Sequence, residues 1–170
     1  MQNHNLEFKN LKVGDKVAFS GIVYTARDQA HKKLVEIIKK GEKLPVDLNG
    51  QIIYYCGPTP KPPGKVIGSC GPTTASRMDE FTPVLLKAGV AAAIGKGGVS
   101  SEVRRAIKKY KAVYFVTIGG AGAYLAQRVK SCELVAYPDL GPEAIYKLTV
   151  EDFPLYVAVD SRGRSIYDKK

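Results

Sequence analysis

Histidine is nearly absent from this 170-residue chain: only His4 and His31 occur, which excludes a metal site built on histidines. Cysteine is almost as scarce. The three thiols, Cys56, Cys70 and Cys132, are scattered, and the closely spaced cysteines of iron–sulfur and zinc sites are missing. Buried free thiols are the expectation, as in a reducing compartment. No apolar run is long enough to cross a bilayer. Met1-Gln2-Asn3-His4-Asn5-Leu6-Glu7 has neither the basic start nor the apolar stretch of a signal peptide, so a cytoplasmic location is expected. Two nucleotide motifs are incomplete. Gly119-Gly120-Ala121-Gly122-Ala123 would need a small residue at 125 to complete a dinucleotide fingerprint from Gly120, and that position is Leu125. Gly95-Lys96-Gly97-Gly98 lacks the glycine spacing of a P-loop.

Acids are outnumbered, 16 against 26 Lys and Arg, which leaves a formal charge of +10. Such a balance attracts polyanions in general. Its distribution argues against nucleic acid. Lys32, Lys33, Lys39, Lys40 and Lys43 fall on one predicted helix, and Arg104, Arg105, Lys108 and Lys109 on another. In the second, Val99, Val103, Ala106, Ile107 and Tyr110 form an apolar stripe that leaves the basic residues facing water. No RNA-binding signature with interleaved aromatics occurs. The charge also suits a small anionic ligand.

A chain of this length fits one domain, residues 1–170, and buries most of its apolar surface. The pattern is α/β. Residues 16–24 alternate as a strand, and residues 27–40 place Leu34, Val35, Ile37 and Ile38 at helical spacing. A strand at 51–55 leads into a stiff loop at 56–64 with Pro58, Pro60, Pro62 and Pro63. Further strands are expected at 65–68, in the apolar run 90–94, and at 112–117, 134–137, 144–150, 155–159 and 165–167. A helix from Thr73 is interrupted at Pro83, where Thr82 and Pro83 read as a new cap and first turn, ending at Gly89. Another helix should follow the glycine run and reach Val129. The loop string Cys56-Gly57-Pro58-Thr59 is echoed by Cys70-Gly71-Pro72-Thr73.

The segment Gly68-Ser69-Cys70-Gly71-Pro72-Thr73-Thr74-Ala75-Ser76-Arg77-Met78-Asp79-Glu80-Phe81 places hydroxyls and a guanidinium where a strand is expected to give way to a helix. Unpaired N–H groups at a helix start favour a carboxylate or phosphate, and Arg77, one turn beyond Thr73, adds a two-pronged donor. The plain alternative is that Thr73 or Thr74 caps the helix and Arg77 is solvated. Arg27 sits at a second strand-to-helix junction and Lys96 at a third. In an open α/β sheet such junctions share the crevice beyond the carboxyl ends of the strands, so three cations can converge on one anion.

These strings carry a resemblance. Gly68 to Asp79, Arg27-Asp28-x-x-His31, Ile94-Gly95-Lys96-Gly97, Pro142-Glu143-Ala144-Ile145 and Val150-Glu151-Asp152-Phe153-Pro154 resemble the C-terminal domain, or separate β subunit, of class I (iron–sulfur) fumarate hydratases and the related tartrate dehydratases. The resemblance runs from about Leu11 to Tyr167. It implies a swivelling β/β/α domain, with a mixed sheet flanked by helices, in a hetero-oligomeric hydro-lyase. A partner α subunit would hold a 4Fe–4S cluster, and this chain would hold none of its ligands. Arg27, Arg77 and Lys96 would bind a small dicarboxylate, and Thr73 would be the base that removes a proton from it. Asp28, His31 and Thr74 would support them, with His31 read as a structural histidine. Fumarate and malate are the expected substrates, with tartrate or a methyl-substituted fumarate as alternatives. A non-catalytic anion-binding module is the reading from a different class.

Overall fold

The computed structural model describes residues 7–168, so His4 lies outside the described residues. Six strands alternate with helices along the chain: β1 (Lys16–Thr25), α1 (Asp28–Lys40), β2 (Ile52–Tyr54), α2 (Thr82–Lys87), β3 (Ala92–Gly95), α3 (Ser101–Tyr110), β4 (Val113–Val116), α4 (Gly122–Ala126), β5 (Val129–Ala136) and β6 (Ile145–Val159). They form one mixed sheet in the order β1-β2-β3-β4-β6-β5. The first four run parallel. β6 is antiparallel to β4 and also to β1, which closes five strands into a barrel-like ring, and β5 is added outside it on β6. The α/β class and the mixed, helix-flanked sheet are as expected.

The parallel strands read as unbroken apolar runs because both of their faces are covered. Ile52 and Tyr54, Ala92 and Ile94, and Val113 and Phe115 join Phe19, Leu148, Phe153 and Val157 in one buried cluster drawn from all five ring strands. Their neighbours Ile53, Ala93 and Tyr114 point the other way, into a second core with Leu34, Leu85 and Ile107 from the helices. Helix ends follow their local chemistry. Gly41, at φ +69, donates its N–H to the Ile37 and Ile38 carbonyls and stops α1. The Ser100 hydroxyl accepts the Val103 N–H at 3.2 Å and starts α3, whose Arg105, Lys108 and Lys109 face water.

Several expected elements are absent or altered. Residues 65–68 are not a strand. Their loop folds back on the proline-rich segment, with the Thr59 N–H donating to Ser69 O and the Ser69 N–H to the Thr59 hydroxyl. No helix starts at Thr73, because its backbone is used to extend the sheet; only one 3-10 turn follows, Ala75–Met78. α2 begins at Thr82 with Pro83 in its first turn, but the Thr82 hydroxyl donates to Met78 O and meets the Tyr55 hydroxyl, so it is no cap. α4 ends at Ala126, since Val129 already opens β5, which absorbs the expected 134–137 strand. Strands 144–150 and 155–159 are one strand, β6. Residues 165–167 form a turn with a single bridge, Val159 to Ser165.

Under α1 lies His31, completely buried between the rings of Tyr55 and Phe81, with centroids at 5.3 and 5.9 Å. Its Nδ1 is 2.8 Å from the Arg27 carbonyl oxygen, which can only accept, so the proton sits on Nδ1 and leaves a bare Nε2 in the core. Burial outweighs that bond and lowers the pKa from 6.5 to about 4. The unfolded chain therefore binds a proton that the folded chain rejects. Stability conferred by neutral His31 is full above the unfolded value and falls as pH drops from about 6.5 towards 4, by about 3 kcal/mol in all. Urea denaturation at pH 7.5, 5.5 and 4.5 should show this loss, and His31→Gln should flatten it; an unchanged slope in the variant would refute the assignment.

Candidate substrate-anion site

The proposed site residues collect where the parallel strands end. Arg27 follows β1, the Ala26 N–H donates to Tyr54 O, and Arg27 is extended before α1 begins. Its side chain lies across Gly57: a Cβ there would stand 2.9 Å from Arg27 Cδ and 3.1 Å from the Pro142 carbonyl oxygen. Glycine at 57 is thus a matter of room for the arginine. Among the described residues Arg27 Nε is buried without a hydrogen-bond partner, and its Nη2 stands 3.5 Å from Asp28.

Asp28 joins two cations. Its Oδ1 accepts from both Nε and Nη2 of Arg77 at 3.1 Å, while Oδ2 faces Arg27. The carboxylate therefore lines up two guanidiniums that are far apart in sequence. Arg77 keeps about half of its side chain exposed (53%), and its outer donors face open water.

Thr73 and Lys96 are brought together through the main chain. The Thr73 N–H donates to Tyr55 O at 2.7 Å, at the end of β2. The Lys96 N–H then donates to Thr73 O, and the Ala75 N–H to Lys96 O, at the end of β3. Lys96 itself is exposed and has no ion pair among the described residues, and its Cδ lies over Gly119, 3.6 Å from where a Cβ would be. Thr73 is half-buried, and among the described residues nothing hydrogen-bonds its hydroxyl. Thr74 is exposed and its side chain caps nothing. The helix-dipole part of the anticipated anion site is therefore missing, for one 3-10 turn has no macrodipole to offer. Ion pairs bring the side chains of Arg27, Asp28 and Arg77 together, and backbone pairing joins Thr73 and Thr74 to Lys96. His31 is a supporting group, holding the Arg27 carbonyl from below.

Sequence reasoning missed Asp79, Tyr114 and the two packing glycines. Asp79 Oδ2 accepts the Ser100 N–H at 2.9 Å, and the Tyr114 hydroxyl donates to Gly97 O at 2.9 Å, so both brace the loop after Lys96. A buried tyrosine with a hydroxyl needs a polar partner, which was the available signal. The glycine run that mimics a nucleotide loop packs on the loop carrying Thr73. Cys70 N–H donates to Gly122 O, and a Cβ on Gly122 would meet Gly71 N at 2.9 Å and the Ser69 hydroxyl closer still.

The residues present do not fit an iron–sulfur cluster. Cys56 and Cys70 are buried and Cys132 half-buried, a correction to the expectation that all three are enclosed. They approach one another closely enough to interact electrostatically despite their sequence separation. Burial pushes the Cys70 thiol up to about 12 and raises Cys56 and Cys132 as well, which disfavours the thiolates that iron requires. Among the described residues no group of three or more His, Cys, Asp or Glu is placed to hold a metal ion. Nor is any helix there long and apolar enough to cross a membrane.

Comparison with known proteins finds relatives of this chain. A protein of Methanocaldococcus jannaschii, provisionally named L(+)-tartrate dehydratase subunit beta, is 45% identical over 169 residues, which cover 96% of this chain and 87% of that protein. The anaerobic class I fumarate hydratase of Escherichia coli K12 is 42% identical over 159 residues, covering 92% of this chain but 29% of that enzyme. Fumarate hydratase 2 of Leishmania major is 41% identical, covering 92% of this chain and 28% of its own length. The chain thus spans less than a third of the fumarate hydratases it matches and most of the tartrate dehydratase subunit. With the family described as Fumarase C-terminus matched over residues 1–170, this chain belongs to that family.

Proposed function

We propose that this chain is the β subunit of a dicarboxylate hydro-lyase, a swivelling domain that binds the substrate's carboxylates and helps remove its proton. The observation that carries the reading is the Asp28 bridge, which joins Arg27 and Arg77, with the Thr74–Lys96 backbone bridge in the same segment as Arg77. Three cations against one carboxylate leave two positive charges, the complement of a dicarboxylate dianion. Fumarate and malate are the substrates we favour. A tartrate reading is favoured by one observation, the near full-length match to a separate subunit named for that activity. An anaerobic assay of this chain, assembled with a cluster-bearing α subunit in the cytoplasm's reducing conditions, on fumarate, malate and tartrate decides between them. Turnover of none would leave an anion-binding module.

Hydration and dehydration interconvert these molecules by moving a proton at the carbon beside one carboxylate while hydroxide joins or leaves the next carbon. As the proton leaves, charge spreads into the adjacent carboxylate. Arg27, Arg77 and Lys96 would stabilise that charge as donors placed before the reaction begins. Thr73 is the proposed base. A threonine hydroxyl is weakly basic, and among the described residues it has no hydrogen-bond partner to take its proton in turn, so only cations held nearby would favour its alkoxide. The α subunit would carry the 4Fe–4S cluster, whose open iron supplies Lewis acidity when bound.

Arg77→Lys keeps the charge but cannot replace the planar fork that meets Asp28 on one side and a carboxylate on the other. It should lower kcat/KM about a hundredfold, the loss of roughly 3 kcal/mol of transition-state stabilisation. Lys96→Ala should do the same, and unchanged kcat/KM in both would dismiss the three-cation site.

Thr73→Val preserves shape and deletes the hydroxyl. Because that hydroxyl holds no hydrogen bond among the described residues, stability should hardly move, whereas kcat should collapse with little change in the affinity for succinate, as for a group needed mainly in the transition state. Thr73→Ser should retain much more activity. Near-normal kcat in a folded Thr73→Val enzyme would remove Thr73 from the chemistry.

A further inference from the structure

We propose that Asp79 is a positioning residue that sets Lys96 against Arg77, by holding the far end of the loop that Lys96 begins. The inference rests on the reading of Lys96 as a substrate ligand. Lys96 stands on a long flexible stem and has no ion pair among the described residues, so its placement depends on its backbone. After it come Gly97 and Gly98, the first at φ +76, and adjacent glycines give a loop no stiffness of its own. Stiffness has to come from outside. It is supplied at three points: the Thr73–Ala75 pairing at Lys96, the Tyr114 hydroxyl on Gly97 O, and Asp79 Oδ2 on the Ser100 N–H.

Asp79 lies just after the 3-10 turn that carries Arg77. The segments 75–79 and 96–100 are therefore tied at both ends, by Ala75 N–H to Lys96 O and by Ser100 N–H to Asp79. One segment presents Arg77 and the other Lys96. Asp79 is an expensive tie, because among the described residues its Oδ1 is buried without a partner and burial raises its pKa. A helix cap alone explains little of this, since Ser100 already caps α3 with its own hydroxyl.

A double-mutant cycle in the assembled enzyme tests the coupling, reading kcat/KM, calorimetric affinity for succinate, and thermal stability of Asp79→Ala, Lys96→Ala and the pair. Asp79→Ala should cost on the order of tenfold in both kcat/KM and succinate affinity, within the range by which contacting residues couple. In the Lys96→Ala background it should cost nothing more. Asp79→Asn keeps an acceptor for Ser100 and should restore most of the loss. Should Asp79→Ala prove unable to fold, Tyr114→Phe removes only the bond to Gly97 O and should show the same dependence on Lys96. Additive losses, or a drop in thermal stability with kinetics and affinity intact, overturn the positioning role while Lys96 keeps its own. A silent Lys96→Ala overturns both this role and the substrate reading beneath it.

Discussion

The site depends on the insertion of residues 73–75 between the ends of two parallel strands. Tyr55 O, Thr73 O and Lys96 O each accept a main-chain bond there, which satisfies groups that would otherwise face the crevice unpaired. Because these bonds are made by the backbone, they fix Thr73 and Lys96 to within the precision of the sheet itself. The proline at 72 and the glycine at 122 serve this insertion. Gly122 lets the two loops pass close together, since a Cβ there would meet Gly71 N at 2.9 Å, and Pro72, having no N–H, leaves no donor to satisfy at the turn.

On that frame the charges are arranged with little freedom. Asp28 opens α1 and reaches across to Arg77, so the Asp28–Arg77 ion pair links the helix to the Ala75–Met78 turn. His31, four residues on, secures the Arg27 carbonyl from within the core. The guanidinium of Arg27 is then confined between α1, Gly57 and the Pro138–Glu143 turn, which is itself clasped to α1 by Lys33 with Asp139 and Tyr137 and by Glu143 accepting the Gln29 N–H. A mobile arginine would spend rotamer entropy on binding; this one has spent it on folding.

Much of this was legible in the sequence. Strand β1, helix α1, the apolar stripe of α3 and the strand-end positions of Arg27 and Lys96 follow from periodicity, because two-faced burial and amphipathic helices leave strong local patterns. The helix at Thr73 did not form, since a local preference for a turn after Gly71-Pro72 was overridden by carbonyls supplied from strands distant in sequence. The strand at 65–68 failed for a similar reason: a short apolar run needs a neighbour to pair with, and the prolines beside it offer no ladder.

Resemblance supplied the role of Thr73, and the structure sharpens what that role would require. A hydroxyl with no bonded acceptor cannot pass its proton along a relay of side chains. If it is a base, its alkoxide must be made cheap by charge, and the cations nearest in the fold are those assigned to the substrate. Substrate binding then works against it, because each carboxylate that arrives neutralises part of the field that would favour the alkoxide. The excess of two positive charges left by Asp28 would be consumed by a dianion. Under the proposed roles, proton transfer would be favoured only as negative charge moves from Thr73 into a substrate carboxylate held by the arginines, so that base and anion site would work as one electrostatic unit.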